Sequence, residues 1–380
     1  MTKGGIASMD AIMKLNGVIN GIVWGPWMLA LLVGTGVYLT LILGFPQIRY
    51  FVLMFTEVFG NIGKKKEGEG TISSFAALST ALASTVGTGN IAGVATALHL
   101  GGPGALFWML ISAVFGMTTK MCEVILAVHF REKDALGSWR GGTMYILEKG
   151  AKQKWLAWLF ALFAFLASFG IGCAVQANST AEGFFLGFGI PQMWTGVGVA
   201  ILTALVIVGG LKRISDVTTY LVPFMAIFYI IGGIIVVFVN LGEVPAAVSS
   251  AVKYAFSDPM AMPGALAGWS IKMALTKGIA RGVFSNEAGL GSAPMVHATA
   301  IVDHPVRQGM YGLFEVFVDT IVICFLTALA ILTSGVLTGN PELSGAQLSL
   351  SAFQSVLGGV GTMILSVGLA LFAFSTILGW

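Results

Sequence analysis

The chain has 380 residues, of which 56% are hydrophobic and only 10% charged, with a formal net charge of +3. Soluble domains carry charge on roughly a quarter of their residues, so this composition excludes one and specifies an integral membrane protein in a lipid bilayer. The three cysteines, Cys122, Cys173 and Cys324, fall in apolar runs and read as small buried hydrophobes, with no spacing that suggests a disulfide frame or a metal cluster.

The start, MTKGGIASMDAIMKLNG, is polar, reads as an interfacial lead-in and shows no cleavable signal. Apolar runs of about 20 residues, the length that crosses hydrocarbon, predict spans near 22–44, 74–98, 104–129, 155–181, 192–210, 217–240, 276–300, 310–333 and 356–380. The first, within an extra N-terminal helix over 18–45, is flanked by Trp24 and Trp27, as interfacial ends often are. Before the seventh span, Lys272, Lys277 and Arg281 fall roughly on one helical face, which predicts a segment lying along the interface. Within the third span, Lys120 and Glu123 are expected to form a local pair.

Lys and Arg concentrate in alternate loops: Arg49 with Lys64, Lys65 and Lys66; Arg131 through Lys154; Lys212 and Arg213; and Arg307. The intervening loops contain one basic residue, Lys253. This alternation places the basic loops in the cytoplasm of a multi-pass cell-membrane protein and the N-terminus outside.

The second span carries STVGTGNIAG at residues 84–93, a poor helix. It has a counterpart: at an offset of 202, Gly87 meets Gly289, Gly89 meets Gly291, Val94 meets Val296 and Pro103 meets Pro305. The two copies would cross the membrane in opposite senses, so the fold class expected is an all-α polytopic protein with inverted repeats. Repeat one covers 72–240 with five helices. The same offset carries repeat two, beginning at 265, to about residue 442, so 265–380 is expected to be an incomplete second repeat.

Unwound backbone at membrane depth must be buried in protein or line a cavity. A broken helix leaves free carbonyls at the end of one half and free N–H groups at the start of the next. Carbonyls suit a hard cation, and N–H groups at the positive end of a helix dipole suit a carboxylate. One break can therefore take a small zwitterion and a sodium ion together.

TALASTVGTGNIAGVATALHLGGPGALFWM, SNEAGLGSAPMVHA, GGTMYILEKG and the terminal FAFSTILGW resemble the signature segments of the alanine or glycine:cation symporter family. The resemblance runs from about residue 16 onward. It implies a leucine-transporter-type fold of five plus five helices and sodium-coupled uptake of alanine or glycine, with proton-coupled transport of other small neutral amino acids as the alternative. It further implies that the N–H groups of Thr88 and Gly89 face the substrate carboxylate. The carbonyls of Ala83 and Val86 and the hydroxyls of Ser375 and Thr376 would hold one sodium. Asn90, with the Thr85 carbonyl, would serve a possible second cation. The co-transported sodium is the only cofactor implied; no organic cofactor and no nucleic-acid partner is expected.

Helical spacing puts Phe169, Cys173, Gln176 and Thr180 on one face, with Gln176 able to reach a substrate ammonium or carboxylate. Trp380, four residues after Thr376, would roof a small pocket. The substrate-contacting set expected is thus Thr85, Gly87, Thr88, Gly89, Phe169, Gln176, Asn286, Thr376 and Trp380. Plainer readings stand beside these. Gly89-x-x-x-Gly93 fits a helix-packing motif, Gln176 fits interhelical hydrogen bonding and Trp380 an interfacial anchor. Ser375 and Thr376 fit hydroxyls bonded back to their own helix. Glu287 fits a partner for Arg281 or for free N–H groups. A dinucleotide loop is a poor match, because the spacing is wrong and no βαβ unit surrounds it. No pore-lining ring for a channel and no catalytic cluster for an enzyme is found.

Overall fold

The computed structural model describes residues 3–62, 68–257 and 269–380, with side chains from residue 13. Among these, six helices are long and apolar enough to cross a membrane: Met13–Ile42, Gly104–His129, Lys154–Phe188, Gly210–Val239, Pro305–Thr333 and Gly359–Gly379. A seventh crossing exists if Ser74–Thr85 and Gly89–Gly101, bent by 52°, are one broken span.

Three of the expected spans differ in the structure. The run near 192–210 is a helix of only 16 residues, Gln192–Ile207, short of the usual crossing length. The run near 276–300 is not one helix. Ile271–Asn286 stops where Glu287, Gly289 and Gly291 take positive φ, and only the short turn Pro294–His297 follows. The last span starts at Gly359 and is preceded by a separate helix, Gly345–Leu357. The lysine run 64–66 lies outside the described residues, as does residue 265, the expected start of the second repeat.

Ile271–Asn286 does not lie along a surface. Ser270 caps it by accepting the Met273 N–H at 3.2 Å. Gly278 and Gly282 then let it press against Ala105, Met109 and Ser112 of Gly104–His129. Small residues on this face outweigh the basic ones on the other, because close backbone approach is what drives packing in lipid.

A two-residue strand, Ile72–Ser73, pairs in parallel with Ala300–Ile301. This joins the start of the first broken span to the chain leaving the second break. Arg131 reinforces the joint by donating to the carbonyls of Ala300 and Glu69, each at 2.7 Å, and of Ala298 at 3.1 Å. The largest core cluster packs around Tyr229, Phe353, Phe372 and Leu313, and the Tyr229 hydroxyl meets Thr327 at 2.6 Å. The broken elements are thereby enclosed by helices, as unwound backbone in a bilayer requires.

Candidate functional site

The first break follows from where its N–H groups go. Ser73 caps Ser74–Thr85 through the Ala76 N–H, and the last regular turn closes with Val86 N–H on the Leu82 carbonyl at 2.8 Å. The next donor, Gly87 N–H, goes to the Asn90 side-chain oxygen at 2.9 Å, which leaves the Ala83 carbonyl without its helical donor. Thr88 N–H goes to Gln176 Oε1 at 3.2 Å. Asn90 N–H goes to Gly87 O at 3.1 Å, which leaves the Val86 carbonyl free as well. The helix is opened by side chains that take its donors.

Two hydroxyls of the helix Gly359–Gly379 face these carbonyls. Ser375 Oγ lies 3.5 Å from both Ala83 O and Val86 O, and Thr376 Oγ1 lies 3.3 Å from Val86 O. Both hydroxyls also bond back to Phe372 O, at 2.8 and 2.9 Å. Four buried oxygens thus converge with 3.3–3.5 Å spacings. Oxygen ligands at about 2.4 Å from a cation, as around the similarly sized calcium ion, sit roughly 3.4 Å from their neighbours. Gly87 makes the approach possible: a β-carbon there would sit 2.5 Å from Thr376 Oγ1 and 3.2 Å from Gln176 Oε1.

Beside this oxygen cluster, Gln176 acts as an amide cap. Its Oε1 accepts the Thr88 N–H, and its Nε2 donates to Ile171 O at 3.1 Å. The Ile171 carbonyl belongs to a π-helical stretch, Ser168–Ala174. That stretch is also why Phe169 departs from expectation. With i→i+5 bonds each turn holds more than four residues, so positions seven apart, which share a face over two α-helical turns, no longer do. Gln176 and Thr180 are buried, whereas Phe169 is 60% exposed and stacks edge-on against Phe165 at 5.1 Å.

Asn90 ties the first break to the second. Its Nδ2 donates to Asp319 Oδ1 at 2.7 Å and to the Asp319 carbonyl at 3.1 Å. Thr320 donates to Asp319 Oδ2 at 2.7 Å, and Asn286 Nδ2 donates to Thr320 at 3.1 Å. Asn286 therefore stands at the second break, linked to the first through Thr320 and Asp319. At the second break Lys120 Nζ donates to Asn286 O at 2.9 Å and pairs with Glu315 at 3.1 Å, both side chains fully buried. A cation at a helix C-terminus complements the dipole and the freed carbonyl. This corrects the expected Lys120–Glu123 pair: Glu123 instead accepts the Gly289 N–H at 3.2 Å. Glu287 takes the Ser292 hydroxyl, and Arg281 has no ion pair with it among the described residues.

The structure therefore brings together Ala83, Val86, Gly87, Thr88, Asn90, Gln176, Ser375 and Thr376, with Gly89 opening the π-turn Gly89–Gly93. Thr85 bonds its hydroxyl back to Ala81 O at 3.2 Å. Trp380 packs one turn below Thr376 against Gly172. Sequence reasoning did not connect Asp319 or Glu315 to the breaks. Their only signal was acidic residues inside an apolar run, which is costly without a purpose.

Comparisons with known proteins agree with this architecture. The sodium:alanine symporter family matches residues 9–380. A sodium/alanine symporter, AgcS, of Methanococcus maripaludis is 46% identical over 98% of this chain and 82% of its own length. An uncharacterized transporter of Haemophilus influenzae is 47% identical over 95% of this chain and 79% of its own length. A manganese transporter of Eremococcus coleocola, at 12% identity, superposes with a TM-score of 0.56 over 84% of this chain and 68% of its own, a likeness of fold alone.

Proposed function

Because the chain belongs to the sodium:alanine symporter family, we propose that it is a secondary active transporter carrying alanine or glycine into the cell with sodium. Transport would proceed by alternating access around the break at Val86–Gly89. The observation that carries this reading is the four-oxygen cluster of Ala83, Val86, Ser375 and Thr376 beside the Thr88 N–H. The oxygens supply a hard-cation seat. The N–H groups of Thr88 and Gly89, at the start of the second half-helix, supply a carboxylate seat.

In the structure Gln176 Oε1 occupies the carboxylate seat. An amide oxygen is a neutral stand-in for a carboxylate oxygen, so substrate binding requires Gln176 to turn away. Its amide is then free to meet the substrate. Asn90, whose side chain accepts the Gly87 N–H and donates to Asp319, would serve a second cation with the Thr85 carbonyl. Trp380, one turn from Thr376, limits the space for the substrate side chain and favours alanine and glycine over larger residues.

The same reading treats 72–240 and 265–380 as inverted repeats, with 18–45 as an extra N-terminal helix, the N-terminus outside and the basic loops cytoplasmic. Sodium is cargo, and no organic cofactor takes part. The test is equilibrium binding of radiolabelled alanine and glycine to the purified protein, titrated with sodium at fixed pH. Sodium-dependent binding of either is expected. Binding that follows pH and ignores sodium would favour the proton-coupled alternative.

A further inference from the structure

Arg281 stands on the helix Ile271–Asn286 beside the second half of the first break, and its guanidinium lies close against that backbone. A β-carbon added at Gly89 would sit 3.0 Å from Nη2, and one at Gly93 would overlap Nη1, 2.5 Å from Cζ. The guanidinium Cζ sits over the Phe284 ring, 4.6 Å from the centroid. The Gly89-x-x-x-Gly93 pair thus seats an arginine rather than another helix. Nε and Nη2 are buried, and neither has a hydrogen-bond partner among the described residues. The acids nearest the breaks are engaged elsewhere, Asp319 with Asn90 and Thr320, Glu287 with Ser292.

Arg281 lines a cleft of about 260 Å³, walled also by Trp24, Thr96, Phe284 and Lys277. Its volume is below the roughly 300–1,000 Å³ of pockets for drug-sized ligands, which suits a small one. Lys277, one turn before Arg281, adds a second positive charge, and no acidic residue among the described residues lines the cleft. A buried guanidinium with free donors is costly unless an anion completes it, and its planar fork matches the two oxygens of a carboxylate.

We propose that Arg281 and Lys277 form a second binding site, distinct from the Val86–Gly89 break, which captures the carboxylate of a small amino acid in this cleft before it reaches the Thr88 and Gly89 N–H groups. The proposal rests on the amino-acid transport reading. Arg281 lies five residues before Asn286, about 7.5 Å of helix rise, so the cleft adjoins the break. On the orientation given above it faces the outside. Recognition here is by the carboxylate alone, so an acid lacking the ammonium group should bind, and an amine lacking the carboxylate should not.

The test uses the full chain in proteoliposomes and in detergent. Propionate and ethylamine are used as competitors of radiolabelled alanine binding, alongside external alanine titration of uptake. In the unmodified protein propionate is expected to compete and ethylamine not. Arg281→Gln should raise the half-saturating external alanine about 30-fold or more and abolish propionate competition, with Arg281→Lys recovering part of each. Gly93→Ala, which keeps the charge but removes its seat, should act in the same direction as Arg281→Gln. It also serves if the latter elutes as aggregate. Lys277→Gln should have a smaller effect that shrinks with added salt.

Unchanged propionate competition in Arg281→Gln would overturn the proposal. So would an Arg281 effect seen only in vesicles containing anionic phospholipid, since the occupant would then be a lipid phosphate. Absence of sodium-driven uptake by the unmodified protein, with propionate binding intact and Arg281-dependent, would instead refute the transport reading and leave the anion site standing.

Discussion

Thr376→Ala removes one of the four oxygens around the proposed sodium seat. Thr376 Oγ1 lies 3.3 Å from Val86 O and 2.9 Å from Phe372 O. The second contact is a bond back to its own helix, and losing such a bond costs only about 0.5–1.5 kcal/mol of stability. Losing a polar partner of a charge is worth about 1.5–3 kcal/mol, which corresponds to an increase of about 10- to 150-fold in the half-saturating sodium concentration. The assay is the initial rate of alanine uptake against sodium at saturating alanine, with Thr376→Ser as the variant that restores the oxygen. Thermal unfolding in detergent separates a loss of fold from a loss of site. An unchanged sodium dependence in a folded Thr376→Ala protein would remove Thr376 from the cation site and refute the four-oxygen argument.

Gln176→Glu puts a permanent carboxylate on the Thr88 N–H; alanine affinity in the binding assay should fall about tenfold or more, while Gln176→Ala should retain sodium-dependent binding. Lys120→Met leaves Glu315 buried beside His297 without its ammonium and should destabilise the protein by about 3–5 kcal/mol, read as a lower unfolding temperature. Adding Glu315→Gln should recover part of it. In the basic loop, Asp134 is held below the usual carboxylate range by the Ser138 N–H, then by the Leu136 N–H and Arg140. A depressed folded value means its stabilisation is present above the unfolded value near 3.9. Amide exchange in the hairpin that pairs Glu132–Lys133 antiparallel with Trp139–Arg140 should therefore be flat in protection across pH 5–8 and lose protection only as pH falls below about 4.

Much of the first break was legible because its cause is local. A Gly-Thr-Gly-Asn run cannot continue a helix, and Asn90 is only three residues from the Gly87 N–H it captures. The membrane class was legible from composition, and long apolar runs such as Gly104–His129 read directly as helices. The Ser375 and Thr376 assignment came from the family resemblance and not from spacing.

What stayed hidden depends on partners far apart in the chain. Gln176 reaches Thr88 across 88 residues, and Lys120 prefers Glu315 to the near neighbour Glu123 because the second break frees a carbonyl beside it. The outward turn of Phe169 depends on a π-helical stretch that a 3.6-residue period misplaces. Gly89 and Gly93 also fit a helix-packing motif in the sequence, and it is the fold that places Arg281 against them. Glycine spacing records that something lies close to the backbone, and only the fold shows what it is.

The most direct test of sodium-coupled symport is accumulation of radiolabelled alanine in proteoliposomes with imposed gradients. An inward sodium gradient without a proton gradient should drive internal alanine above the external level, and replacing sodium with choline should abolish it. Uptake that only equilibrates, indifferent to both sodium and proton gradients, would contradict coupled transport.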